Sequence, residues 1–191
     1  MSARREELTR IAARLFAAQG YQGTSLADLA AELGVRKPSL YHHIASKEDL
    51  LWEVAWEGAN AFHAALDGVP AEAPAAERIR LALRAHLAVV AGQLDIATVF
   101  VREWRYLEGE RHERFVAERR RYEARVRDLF RAGVEESQLR TDLDAGTAAL
   151  LFLSAANWAY TWLRPGSDTD QLADRLYGTL LEGMRGYATP Q

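Results

Sequence analysis

The chain has 191 residues, a length that allows one domain or a small module joined to a larger one. Its 24 Lys and Arg and 27 Asp and Glu give a formal net charge of −3, which argues against a general nucleic-acid coat protein but not against a local basic patch. The lack of cysteine excludes disulfides, thiolate metal sites and cysteine nucleophiles. The charged N-terminus and the polar residues within the apolar stretch 145–163 favour a cytoplasmic protein without membrane contact.

The N-terminal part of the chain predicts three helices. Apolar residues at helical spacing predict the first helix over about 4–19. Ser25 and Asp28 have the spacing of a capping box before a short second helix, which is expected to stop at Gly34. Pro38 is a favoured first-turn residue and begins a short third helix, which is expected to end by Ala45.

The rest of the chain predicts a larger helical bundle. Ser46 and Asp49 form a second capping-box pattern at the start of a long helix, and the segment 67–76 is the clearest break. After an amphipathic helix, further helices are expected over about 95–107, 110–136, 144–163 and 168–187. The predicted fold is therefore all-α with about nine helices, divided into a helix-turn-helix domain (1–46) and a ligand-sensing and dimerisation domain (47–191).

The segment 24–47 has the pattern of a helix-turn-helix, which places its second helix in the major groove of DNA. Residues 33–47 contain Arg36, Lys37 and Lys47 and no acid, a local charge of +3 in a negative chain. Side chains on the first turns of the second helix suit base edges, namely Lys37, Ser39, Tyr41 and His42. Side chains at helix starts and flanks suit phosphates, namely Thr24, Ser25, Arg36, His43 and Lys47.

The run from Gly20 to Leu51 resembles the DNA-binding domain of the TetR family of transcriptional regulators. The resemblance covers about residues 4–55, and its highly specific part is Leu40-Tyr41-His42-His43-Ile44 followed by Ser46-Lys47-Glu48. It implies base-facing positions at Lys37, Pro38, Ser39, Tyr41 and His42, and backbone-clamping positions at Thr24, Ser25, His43 and Lys47. Ala27 stands where some members place an arginine that reaches a base, so the third helix is expected to carry most of the readout.

The last two predicted helices are too apolar for an open surface. The predicted dimer surface consists of Leu150, Leu151 and Trp158 on the first and Leu172, Leu176, Leu180 and Met184 on the second. Ordinary core packing is the alternative. The family resemblance favours the interface, because TetR-type regulators dimerise through a similar four-helix arrangement.

Aromatic and arginine side chains in the C-terminal part predict a ligand site, since such aromatics can hold an apolar group and orient a polar one. Residues 102–131 contain ten arginines and seven acids, and at least one arginine of 119–121 is expected to face inward. The predicted lining consists of Phe100, Trp104, Arg105, Arg119, Tyr122, Asn157, Trp158, Tyr160 and Trp162. For any single one of them, core packing is the alternative.

The segments 101–107 and 157–166 resemble the sensor domain of TetR-family regulators of fatty-acid, phenylacetate and steroid catabolism, the FadR and PaaR type. This resemblance implies an acyl-CoA thioester as inducer, with the acyl chain among aromatic side chains and the CoA phosphates near arginines. Another hydrophobic compound, such as a drug or an aromatic molecule, is the alternative ligand.

The expected function is a homodimeric repressor that binds a palindromic double-stranded operator and is released by a small-molecule inducer, with no resident cofactor. A helical-bundle enzyme is the remaining alternative, with His63, His86 and His112 as potential bases or metal ligands. The chain contains no HExxH motif, repeated Glu-x-x-His pair or nucleophile motif, so no catalytic or metal site is expected. A histidine on an apolar face, such as His86, is more often a buried hydrogen-bonded residue or a pocket wall.

Overall fold

The computed structural model of the chain describes residues 3–164 and 166–182. Across these ranges it contains nine α-helices and no strand, so the predicted all-α class is confirmed. The helices are α1 (Ala3–Gln19), α2 (Leu26–Glu32), α3 (Lys37–Leu40), α4 (Lys47–Asp67), α5 (Ala75–Gly92), α6 (Leu94–Arg102), α7 (Gly109–Glu135), α8 (Ala145–Asn157) and α9 (Thr169–Glu182). In the described ranges no single helix is long and apolar enough to cross a membrane.

Both predicted capping boxes form. The hydroxyl of Ser25 accepts the amide of Asp28 at 3.1 Å, and the carboxylate of Asp28 accepts the amide of Ser25 at 2.8 Å. Ser46 and Asp49 exchange the same two bonds at 3.1 and 2.8 Å. Each pair satisfies amides that would lack partners at the start of a helix, so the chain enters α2 and α4 at the positions that the sequence indicates.

Three predicted helices end earlier than their sequence patterns indicate. The third helix, expected to end by Ala45, ends at Leu40 and is followed by a turn over 41–43. The helix expected over 95–107 ends at Arg102 and continues as a short 3-10 helix, Trp104–Tyr106. The helix expected to reach Leu163 ends at Asn157 and continues as the 3-10 helix Trp158–Thr161. Such tighter turns satisfy carbonyl groups at a helix end that have no intrahelical partner.

The chain divides into two compact units. The head unit comprises 1–61 and 93–118, and the bundle unit comprises 62–92 and 119–191. The predicted division at residue 46 follows the helix-turn-helix motif instead of these units and stays a prediction.

The core of the head unit contains leucines and a phenylalanine from α1, α2, α3 and α4, all with no exposed surface: Leu8, Phe16, Leu29, Leu40 and Leu50. Gly58 lets α4 and α6 approach closely, since a Cβ atom there would lie 2.9 Å from Cβ of Phe100 and 3.3 Å from Cγ2 of Ile96. The segment 93–118 is therefore packed tightly against the rest of this unit.

The core of the bundle unit contains aromatic and leucine side chains from α4, α5, α7 and α8. Phe62, Leu83, Leu87, Phe130 and Phe152 are each at most 1% exposed. The rings of Phe130 and Phe152 meet edge to face with centroids 6.0 Å apart, an arrangement that aromatic pairs prefer. The apolar stripes of these helices are thus buried as their spacing predicts.

Candidate nucleic-acid interface and ligand site

The turn between α2 and α3 places α3 on the surface of the head unit. Gly34 has φ +71°, a backbone conformation that favours glycine, and its amide bonds the carbonyl of Ala31 at 3.0 Å. The amide of Val35 bonds the carbonyl of Ala30 at 2.9 Å. These two bonds close the C-terminus of α2 and direct the chain into α3.

One side of α3 is buried and the other is exposed. Leu40 has no exposed surface and anchors the helix, whereas the neighbouring Tyr41 is 52% exposed. The other predicted base-facing side chains are also accessible: Lys37, Pro38 and His42 are exposed and Ser39 is half-buried. The structure therefore brings all five predicted base-facing residues to an accessible surface with two cations and no acid between residues 33 and 46.

The predicted phosphate contacts fall into two groups. Ser25 and Arg36 are exposed and His43 is half-buried. Thr24 is 1% exposed, and its hydroxyl donates to the carbonyl of Gly20 at 2.9 Å. Lys47 donates from Nζ to the carbonyls of residues 21 and 24 at 2.7 and 2.8 Å. The polar atoms of Thr24 and Lys47 thus already have partners within the head unit, and their phosphate roles stay predictions.

Lys47 also contacts an aromatic ring. Its Nζ lies 4.1 Å from the ring centroid of Tyr21, a cation–π distance. Burial lowers the pKa of the Lys47 ammonium. The side chain therefore joins the start of α4 to the loop before α2.

This geometry separates the expected effects of Lys47→Met and Arg36→Met. Lys47→Met should lower the free energy of unfolding by about 2 kcal/mol, because two carbonyls lose a charged donor. Arg36→Met should change it by less than about 0.5 kcal/mol, since Arg36 is exposed, and should reduce the salt slope of DNA binding by about 0.9 for each lost phosphate contact. Denaturant unfolding and salt titrations of operator binding measure both. A Lys47→Met protein with unchanged stability and a reduced salt slope would contradict this assignment.

A buried carboxylate also holds the loop before α2. Glu103 is 4% exposed and accepts the amide of Tyr21 at 2.9 Å and Nε of Arg102 at 2.8 Å. The ring of Tyr21 stacks on that of Tyr106 with centroids 5.6 Å apart. In the sequence, Glu103 is one of the seven acids of residues 102–131, and no role is predicted for it. The available signal was an acid two residues after the end of the apolar stretch 96–101, with Arg102 between them.

Three predicted ligand residues lie in the head unit. Phe100 is 5% exposed and packs edge to face on Phe115 at 5.5 Å. Trp104 is half-buried and its ring centroid lies 6.0 Å from that of Phe115. Arg105 is exposed and donates from Nε to the carbonyl of Arg102 at 2.8 Å. The two aromatic residues thus share Phe115 as a neighbour.

The other six predicted ligand residues lie in the bundle unit. Trp158 and Trp162 are 61% and 41% exposed, and Trp158 meets the half-buried Tyr160 edge to face at 5.9 Å. Asn157 is half-buried. Arg119 is half-buried, whereas the other two arginines of the run 119–121 are exposed. Burial lowers the pKa of Arg119, against the opposing effect of Glu123.

The sixth of these residues, Tyr122, belongs to a buried polar cluster between α4, α5 and α7. Its hydroxyl lies 3.0 Å from Nδ1 of His86, and the two residues are 6% and 1% exposed. His63 is 7% exposed and its ring meets Tyr122 edge to face at 5.4 Å. Nη1 of Arg125 lies 3.2 Å from Nδ1 of His63, and Nη2 donates to Asp67 at 2.6 Å.

Burial decides the protonation of the central pair. It lowers the pKa of His86 to about 3, so the imidazole is neutral at physiological pH. It raises the pKa of Tyr122, against the smaller effect of Arg125, so the phenol keeps its proton. Neither group carries charge into the core.

The predicted dimer residues show an exposed apolar face. Leu150 and Leu151 on α8 are 63% and 51% exposed and lie on the same helix that leads to the exposed Trp158. On α9, the predicted leucines at 172, 176 and 180 are half-buried. Met184 lies outside the described residues. Large apolar side chains clustered at a surface mark an interaction site.

Two family models match the chain. The model described as bacterial regulatory proteins, tetR family, matches residues 8–54. The model described as tetracyclin repressor-like, C-terminal domain, matches residues 72–184. Together they cover both predicted parts of the molecule.

Similar proteins extend over nearly the whole chain. The HTH-type transcriptional repressor KstR2 of Rhodococcus jostii (strain RHA1) is 30% identical over 196 residues, which cover 96% of this chain and 92% of that protein. KstR2 of Mycobacterium tuberculosis (strain ATCC 25618 / H37Rv) is 28% identical over 193 residues, with coverage of 96% and 94%.

Solved structures agree on the fold. The crystal structure of AibR in complex with isovaleryl coenzyme A and operator DNA has a TM-score of 0.84 and 30% identity, covering 93% of this chain and 98% of that one. The structure of KstR2 of Mycobacterium tuberculosis has a TM-score of 0.89 at 24% identity and covers 98% and 97% of the two chains.

Proposed function

Because the chain belongs to the TetR family of bacterial transcriptional regulators, we propose that it is a dimeric repressor that binds a palindromic operator and leaves it when an acyl-CoA thioester binds. The exposed basic surface of α3 carries this proposal. The relatives that cover nearly the whole chain are transcriptional repressors, and this supports repression over an enzymatic activity.

The DNA-binding step is supported by the side chains of α3 and of the turn that follows it. Lys37 supplies a cation, His42 supplies ring nitrogens and Tyr41 supplies a hydroxyl and a ring face, and all three side chains are exposed. Such groups donate to base acceptors in the major groove, and Arg36 beside them is available to a phosphate. The buried Leu40 holds the helix in place before DNA binds, so little conformational entropy is lost on binding.

The dimer rests on the apolar face of α8. A helix-turn-helix reads few base pairs alone, and two-fold symmetry lets two copies contact two half-sites about one helical turn apart. Leu150, Leu151 and Trp158 would lose their exposed surface in a symmetric contact of α8 and α9 with a second copy.

The ligand class rests on similarity and on charge. AibR, 30% identical over 93% of this chain, has been solved with isovaleryl coenzyme A. The arginines 119–121 lie on α7, where Arg119 is half-buried and the other two are exposed. Arginine binds phosphate groups through parallel hydrogen bonds, and aromatic side chains accommodate an acyl chain.

Release requires that the ligand bind more tightly to a state of the dimer whose two reading helices no longer match successive major grooves, about 34 Å apart. A ligand with equal affinity for both states would release nothing. The expected coupling is about tenfold to a hundredfold in operator affinity.

Operator binding in the presence of CoA esters tests the proposal. We expect isovaleryl-, hexanoyl- or phenylacetyl-CoA to weaken binding to a palindrome from the gene's own promoter by at least about tenfold in fluorescence anisotropy. Free CoA and the free acids are the controls and should leave binding within about twofold. If an unrelated hydrophobic compound releases the operator and no CoA ester does, the proposed ligand class is rejected and the proposed repressor function stands.

A further inference from the structure

One nitrogen of the buried cluster in the bundle unit has no hydrogen-bond partner. Nε2 of His86 is buried and bonds no atom in the part of the chain that the structure describes. The ring lies on α5, with the ring centroid of Phe62 of α4 at 4.5 Å and that of Tyr122 of α7 at 5.9 Å. A buried polar atom of this kind is uncommon in a folded protein and calls for an explanation.

The partner of the other ring nitrogen determines what Nε2 can do. Burial keeps the phenol of Tyr122 protonated, and its hydroxyl lies 3.0 Å from Nδ1 of His86. A phenol that donates to Nδ1 makes this nitrogen an acceptor, and the neutral imidazole then carries its hydrogen on Nε2. In that tautomer His86 presents a buried N–H donor without an acceptor.

The surroundings select the kind of acceptor. Aromatic rings flank the imidazole, and the nearby cation Arg125 is already bonded to Asp67 and His63. Moving a carboxylate or a phosphate into such a site costs far more than moving a neutral carbonyl. The acyl group of a thioester ends in such a carbonyl, whereas the charges of CoA are distant from it in the molecule.

We propose that Nε2–H of His86 donates a hydrogen bond to the carbonyl oxygen of the effector's acyl group, so that the acyl end of the ligand lies between α4, α5 and α7. This inference rests on the proposed function and assigns the acyl end of its ligand to one residue. Tyr122 acts as the positioning residue, since its hydroxyl holds the imidazole in the tautomer that donates from Nε2.

Two matched variants separate the nitrogens of the ring. In His86→Asn the amide group occupies the position nearest to Nδ1, so it keeps a partner for Tyr122 and loses the donor at Nε2. In His86→Gln the longer side chain places an amide N–H near the position of Nε2. Tyr122→Phe keeps the aromatic packing and removes the hydroxyl that selects the tautomer.

Paired ligands isolate the carbonyl. The probes are isovaleryl-, hexanoyl- and phenylacetyl-CoA, each paired with the thioether in which a methylene replaces the carbonyl, and binding is measured by calorimetry without DNA. The unmodified protein should prefer the thioester by about tenfold. His86→Asn should lose this preference to within about twofold, His86→Gln should retain part of it, and Tyr122→Phe should reduce it.

Each outcome has one meaning. A His86→Asn protein that keeps the tenfold preference overturns the proposal. An equal loss of affinity for the thioester and the thioether in all variants also overturns it, because that result indicates a structural role only. If the unmodified protein binds no member of any pair, the proposed ligand class fails and this inference fails with it. A readout without variants is the Nε2–H resonance of 15N-histidine-labelled protein, which should shift with the thioester and not with the thioether.

Discussion

Replacing Tyr41 with alanine should weaken operator binding by about 1–3 kcal/mol at each half-site, roughly five- to 150-fold, and by up to the square of that factor in a dimer. The expected loss is large because Tyr41, the residue directly after α3, is a 52% exposed aromatic side chain close in sequence to Arg36 and Lys37. The neighbouring Leu40, which has no exposed surface, keeps the helix in place. Fluorescence anisotropy at fixed salt measures the change.

Two control variants show whether the loss of operator affinity comes from the hydroxyl or the ring of Tyr41 and whether it is specific to this position. Tyr41→Phe separates the hydroxyl from the ring. Arg14→Ala removes an exposed cation of α1, paired with Glu32 in the same unit, and should leave operator binding within about twofold. Unfolding of Tyr41→Ala should match that of the unmodified protein within about 0.5 kcal/mol. Unchanged operator affinity in Tyr41→Ala would reject α3 as the reading helix.

The double replacement Leu150→Glu and Leu151→Glu should convert the proposed dimer into monomers, with a dissociation constant raised at least about a hundredfold. Both side chains are more than half exposed on α8, so the replacements disturb little of the bundle core. In a symmetric contact they would place four carboxylates in an apolar interface without partners, which is strongly unfavourable. Sedimentation equilibrium measures the constant.

The matched control for this variant is Ala88→Glu, which adds a carboxylate at an exposed position of α5 in the same unit. It should leave both self-association and operator affinity unchanged. Operator affinity should fall in the double variant, because a monomer contacts only one half-site. A double variant that sediments as the unmodified protein does would place the dimer surface elsewhere.

Features set by nearby residues could be predicted from the sequence. The capping boxes at Ser25 and Ser46 involve partners three residues away, and both form. The basic surface of α3 depends on one short helix and a turn at Gly34, so composition and spacing were enough to indicate it.

Features that depend on distant partners could not be predicted in the same way. Glu103 interrupts a predicted helix and bonds Tyr21, which lies 82 residues earlier in the chain. Lys47 appears in the sequence as a free cation, yet its ammonium bonds two carbonyls more than 20 residues away. His86 and Tyr122 were singled out separately, but their pairing across 36 residues depends on the packing of α5 against α7. Periodicity indicates which face of a helix is buried and not which side chains meet there.

The contacts of Tyr21 affect how regulators of this kind can be recombined. A chimera that exchanges only the first 54 residues would keep the helix-turn-helix but separate Tyr21 from its own Glu103 and Tyr106, which belong to the same compact unit. The new loop would then meet foreign side chains, and the position of the backbone amide that bonds the buried Glu103 would be set by a foreign loop. An exchange of DNA specificity should therefore transfer residues 93–118 together with the N-terminal segment, two pieces that are distant in the gene and adjacent in the fold.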